Sequence, residues 1–221
     1  MGFRTYARRV RDRDLPYGGR YRSLRCAVSR YCPIGFNATW SYLRTAGDLK
    51  ADEDALLRAL DDLEISREVW LTEIEAFASR RLAEKRQHRR TPSAAERLYL
   101  YGYRWPGPHG HQATLLTIDH LWGAHLRDPF PDTPAEIKGD LVHLDSTIAG
   151  CISTYLSNDG EAGPGHRDIL RTALTDLDRY LRRLGYPTNY YLGFQYFRRL
   201  RKATELIIND GARAISVPHS E

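Results

Sequence analysis

The sequence predicts a mainly α-helical protein, and three observations carry that expectation. Apolar residues recur at helical spacing over most of the 221 positions. Proline-containing breaks such as Leu15-Pro16-Tyr17-Gly18-Gly19, Thr91-Pro92 and Trp105-Pro106-Gly107-Pro108 separate those stretches. The clearest local signals are helix starts: Ser93-x-x-Glu96 has the pattern of a capping box, and Thr133-Pro134-Ala135-Glu136 combines an N-cap, a first-turn proline and a reciprocal glutamate. The expected architecture is a helical N-terminal domain, for which a helix-turn-helix with a short wing is one form, followed by a four-helix bundle.

Taken in order, residues 1–14 alternate arginine with small apolar residues and read as a basic arm, closed by the break Leu15-Pro16-Tyr17-Gly18-Gly19. Two short helices follow, near residues 20–31 and 33–46, meeting at Cys32-Pro33. Leu56, Leu60 and Leu63 then mark a helix opened by Asp52-Glu53-Asp54, whose carboxylates suit a helix N-terminus. A second long helix is expected from Ser66 to about Arg90, with an apolar stripe through Trp70, Ile74, Phe77 and Leu82. In residues 98–105, Tyr99, Tyr101, Tyr103 and Trp105 alternate with period two, which fits a short strand or wing as well as a helix. Trp105-Pro106-Gly107-Pro108 is the hardest break and divides the chain into domains 1–105 and 106–221.

Past that break the stripes are cleaner. Leu115, Ile118, Trp122 and Leu126 define one helix, and Ile137, Leu141, Leu144, Ile148, Cys151 and Tyr155 a second. Leu170, Ala173, Leu177, Tyr180 and Leu184 define a third, and Tyr190, Phe194, Phe197, Leu200, Thr204 and Ile207 a fourth. Four amphipathic helices with short connections predict an antiparallel bundle, which also suits homodimerisation.

Charge supplies the functional expectation. Of 33 Lys and Arg, only Lys50, Lys85, Lys138 and Lys202 are lysine, and arginine grips phosphates and carboxylates bidentately. An Arg-rich composition also follows from codon usage alone. Net charge runs +8 over residues 1–50, −7 over 51–78 and +6 over 79–104, then −5 over 105–175 and +3 over 176–221. The basic front half suggests a polyanion partner, unless the acidic segment neutralises its basic neighbours within the fold. The expected nucleic-acid contacts are Arg8, Arg9, Arg11, Arg20, Arg22, Arg25 and Arg30, then Arg44, Arg80, Arg81, Lys85, Arg86, Arg89 and Arg90. Tyr17, Tyr21 and Tyr31 are interleaved with the first group. Asn37, Thr39, Trp40 and Tyr42 are expected to face bases from the second short helix, and DNA is favoured over RNA.

Two other readings stay open. One is an adaptor or small subunit whose arginines dock on an acidic protein surface. The other is a bundle enzyme using His120, Asp140 and His143. Asp140-x-x-His143 has the spacing of carboxylate-bridged metal bundles, but one copy leaves most of the ligand set missing. No G-x-S-x-G elbow, Walker A loop or dinucleotide fingerprint occurs, so catalysis has no positive support and no cofactor or metal is expected. Cys26, Cys32 and Cys151 form no zinc cluster and suit free thiols in a reducing cytoplasm. No apolar run approaches the ~18 residues of a membrane span.

Overall fold

Nine α-helices and one 3₁₀ turn make up the regular structure of the computed structural model, which describes residues 1–86, 91–185 and 190–210; no strand occurs among them. The chain divides into two units, with the boundary between Ala113 and Thr114.

The first unit contains α1 (Phe3–Arg11), α2 (Tyr17–Arg30), α3 (Phe36–Leu43), the 3₁₀ turn Arg44–Ala46, α4 (Glu53–Arg86) and α5 (Ala94–Tyr101). The expected basic arm is a helix. Phe3, Ala7 and Val10 fall at i, i+4 and i+7, and all three are buried, so an apolar stripe runs between the arginines. α1 packs on α2, which buries Leu24, Ala27 and Val28 beside Arg20 and Ser23. Gly35, at φ +82°, turns the chain from α2 into α3.

α4 is one helix of 34 residues where two were expected. Nothing between Leu63 and Ser66 breaks it: Glu64 and Ile65 are compatible with a helix, and neither proline nor glycine intervenes. Ser66 is fully buried inside the helix, where its hydroxyl shares a 2.9 Å hydrogen bond with Tyr31. It caps nothing.

The expected wing is also helical. Ser93 Oγ accepts from the Glu96 amide at 3.1 Å and the Glu96 carboxylate accepts from the Ser93 amide at 2.9 Å, the two halves of the capping box that starts α5. Helix winding then puts Tyr99 and Leu100 into a cluster with Phe77 and Ile74, and leaves Tyr101 65% exposed. Adjacent residues bury together here, which the two-sided alternation of a strand does not permit. Ser93→Ala is expected to cost about 1 kcal/mol in urea unfolding, as lost N-caps do.

The second unit is formed by α6 (Gly110–Arg127), which begins at the end of the first unit, and by α7 (Ala135–Ser157), α8 (Pro164–Leu184) and α9 (Tyr191–Asn209). α7, α8 and α9 pack pairwise on one another. Every residue of the α7 and α8 stripes named above is buried, as are Phe197, Leu200, Thr204 and Ile207 of α9. α6 meets α9 through His125, whose ring lies 4.5 Å from Tyr196 and stacks on Trp122 at 5.1 Å. Leu126, expected on the same apolar face, is 67% exposed. Pro134, not Thr133, occupies the α7 N-cap position, and no side chain caps it. None of the described helices is long and apolar enough to cross a membrane.

Candidate nucleic-acid interface

Arginines of the front half sort into two populations. In one, the protein's own carboxylates and carbonyls already occupy the guanidinium. Arg11 pairs with Asp61 and Glu64, and Arg13 with Glu53. Arg20 is buried, donating to the Val10 carbonyl at 2.7 Å and to Glu53 at 2.9 Å. Arg80 reaches Glu96 at 2.8 Å and lies 3.8 Å from Glu84, while Arg81, also buried, pairs with Glu84. Arg104 is buried against Glu73 and the Tyr99 carbonyl. The acidic face of α4 thus cancels much of the flanking positive charge. Arg20 and Arg81 do not belong to an open surface, because a buried cation held this way binds a phosphate only after its internal partner is released, while Arg11, which is exposed, and Arg80, which is partly exposed, already share their guanidinium groups with carboxylates.

Glu53 registers this pairing. The hydrogen bond from Arg20, with the charge of Arg13 added, holds its carboxyl below the usual carboxylate range despite some desolvation. A depressed folded-state value gives stability that is fully present above the unfolded value and is lost as pH falls through the folded one. Glu53→Gln is therefore expected to make acid unfolding less steep, as followed by circular dichroism between neutral and acidic pH.

In the second population no carboxylate partner occurs among the described residues. Arg4, Arg8, Arg22, Arg25, Arg30, Arg44 and Lys50 are all exposed there, and Arg22 donates only to the Gly18 carbonyl of its own helix. Arg9 is half-buried, with Nη1 3.8 Å from the Met1 sulfur. Lys85 and Arg86 are exposed at the end of α4, and Arg89 and Arg90 lie outside the described residues.

Within the second population, Arg44 and Lys50 line a groove of about 370 Å³ together with Tyr21, Trp40, Gly47, Asp48 and Leu49. Tyr21 meets Trp40 edge to face at 5.6 Å, and the Arg25 guanidinium lies 5.7 Å from the Trp40 ring centre. The loop beneath is fixed. Tyr17 Oη lies 3.1 Å from the Leu49 carbonyl and 2.9 Å from that of Asp52, Arg58 donates to the Ala46 carbonyl at 3.0 Å, and the Lys50 amide donates to Asp48 Oδ1 at 3.0 Å. Gly47 makes the turn at φ +138°, where an added Cβ would sit 2.9 Å from the Ala55 Cβ. Gly47→Ala is expected to cost about 1–3 kcal/mol, measured by urea unfolding, from backbone strain together with that clash.

The residues expected to face bases separate in the same way. Trp40 is half-buried and lines the groove, and Asn37 and Arg44 are exposed. Asn37 and exposed Ser41 lie at i and i+4 on the outer side of α3, and Arg44 follows them in the 3₁₀ turn. Thr39 is fully buried and Tyr42 is 6% exposed, packed at 4.5 Å on Trp105, so neither reaches a ligand from α3. Burial pushes the Tyr42 phenol up to about 12, with Asp62 adding to the shift. Tyr17 and Tyr31 serve the fold, and Tyr21 alone of the three interleaved tyrosines enters the groove. Nothing local in the sequence marks Asp48 and Lys50 as a site, because their place depends on the turn at Gly47. A glycine beside an aspartate is the only cue to that turn.

Of the residues of the enzyme reading, Asp140 and His143 line one pocket with Asp176, Arg179 and Tyr180, and His120 is not part of it. His120 and His143 are exposed, and Asp140 accepts a 2.7 Å hydrogen bond from Tyr180. Among the described residues no three His, Cys, Asp or Glu side chains form a metal-binding group. Comparison with protein-family models, with curated proteins and with solved structures finds no match to this chain.

Proposed function

We propose that the chain is a nucleic-acid-binding protein, with DNA favoured over RNA, that acts through the outer sides of α1, α2 and α3. The observation that carries this reading is the set of exposed cations at positions 4, 8, 22, 25, 30, 44 and 50 with no carboxylate partner among the described residues. An Arg-rich surface left open beside an acidic helix that could have neutralised it is suited to phosphates. Asn37 and Ser41 on the outer side of α3, with Arg44 in the 3₁₀ turn that follows, are side chains of this surface able to bond base edges. A homodimer through the second unit would double the number of phosphate contacts, and light scattering of the purified chain tests it.

An acidic protein surface could engage the same arginines. The Tyr21–Trp40 pair beside Arg44 favours nucleic acid, because aromatic rings offer a stacking surface that carboxylates do not use. The test is an anisotropy titration of labelled DNA and RNA across a salt series. Binding that weakens steeply with salt supports the reading, and no detectable binding to either at low salt overturns it.

A further inference from the structure

The groove beside α3 has a composition that phosphate binding alone does not explain. Two aromatic rings, Tyr21 and Trp40, line it together with an acidic residue, Asp48, with Leu49 and with the cations Arg44 and Lys50. A pocket for phosphate alone would exclude a carboxylate, since like charges repel. A pocket for an aliphatic group would not need two cations. Resting on the nucleic-acid reading above, we propose that this groove takes a single unpaired nucleobase of a DNA strand, with the adjoining phosphates on Arg44 and Lys50.

Four features support that ligand. The volume, about 370 Å³, falls within the range of about 300–1,000 Å³ found for small-molecule sites. Trp40 is held in place by the edge of Tyr21 and by Arg25 yet remains half-exposed, so its orientation is set before a base arrives. Asp48 accepts the Lys50 amide through Oδ1, which leaves Oδ2 to accept from an exocyclic amino group of a base. The loop that carries Asp48 and Lys50 is tied down through Tyr17 and Arg58, so little ordering is left to be done on binding. In a duplex the bases are stacked and paired, so a base enters only after extrusion, at a cost of a few kcal/mol. The consequence is a preference for single strands.

The test uses the full chain, a labelled mixed-sequence single strand and the duplex of the same sequence, with anisotropy as readout. The parent protein is expected to bind the strand at least tenfold more tightly than the duplex. Trp40→Leu is expected to weaken strand binding roughly tenfold, the scale of one lost base stack, and duplex binding by a smaller factor, so that the preference for the strand narrows. Tyr21→Leu serves as a second variant should Trp40→Leu unfold. Independently of any variant, a strand carrying bromodeoxyuridine is expected to photocrosslink to Tyr21 or Trp40, located by peptide mass spectrometry. Equal affinity for strand and duplex, with crosslinks elsewhere, overturns the base-in-groove inference and leaves the phosphate-binding reading standing. If the parent binds neither nucleic acid at low salt, both are overturned.

Discussion

Replacing Arg8, Arg22 and Arg44 together by glutamate is expected to lower DNA affinity roughly a hundredfold at low salt. The slope of log affinity against log salt should fall by about two for a single strand, because each lost phosphate contact removes about 0.7 of a released counterion. These side chains are exposed and lack carboxylate partners among the described residues, so their replacement should leave urea unfolding within about 0.5 kcal/mol of the parent. The informative control is Arg80→Glu with Arg81→Glu. Both arginines are bound to Glu84, and Arg80 also to Glu96, so this pair should lower stability while leaving the salt slope unchanged. If the control weakens DNA binding as much as the triple variant does, net charge and not a defined face governs binding. The interface proposed on α1–α3 is then wrong.

The largest stability effect is expected at Arg104. Its side chain is 9% exposed and that of Glu73 is 17% exposed, and the two are paired. The guanidinium also lies 4.1 Å from the Tyr99 ring centre and donates to the Tyr99 carbonyl, while Tyr99 Oη donates to Glu73 at 3.1 Å. Arg104→Leu removes one partner and leaves Glu73 largely buried without its countercharge, a change expected to cost about 3–5 kcal/mol. Removing the second charge as well, in Arg104→Leu/Glu73→Leu, should recover part of that loss, because the remaining desolvation penalty disappears. Urea unfolding of the two variants measures both values. A single variant within 1 kcal/mol of the parent would mean that Glu73 reaches water freely and that the pair does not lock α5 and its trailing segment to α4.

Arg104 also illustrates what local sequence cannot weigh. In a charge tally it is one more cation in a basic stretch, indistinguishable from Arg97, which is exposed and donates only to the Pro92 carbonyl. The same holds for Arg20 and Arg22, two positions apart on one helix. Arg20 is buried against Glu53, and Arg22 faces solvent. Helical geometry separates them by about 200°, but the positions of α1 and α4 decide which side is the inside. The wing fails for a related reason. Alternating tyrosines are compatible with a strand, and the capping box at Ser93 together with the packing of Tyr99 and Leu100 on Phe77 selects the helix.

By itself, the sequence determined that this protein is mainly helical and which residues of α7 and α8 face inward. Amphipathic spacing, prolines and capping residues act within a few positions of one another, and the buried stripes of α7 and α8 follow them residue for residue. Which arginines remain available was decided only by tertiary structure. Ion pairs such as Arg11 with Asp61, Arg13 with Glu53 and Arg104 with Glu73 join residues tens of positions apart. Coulombic attraction depends on distance in space, which for such pairs is set by how the helices pack.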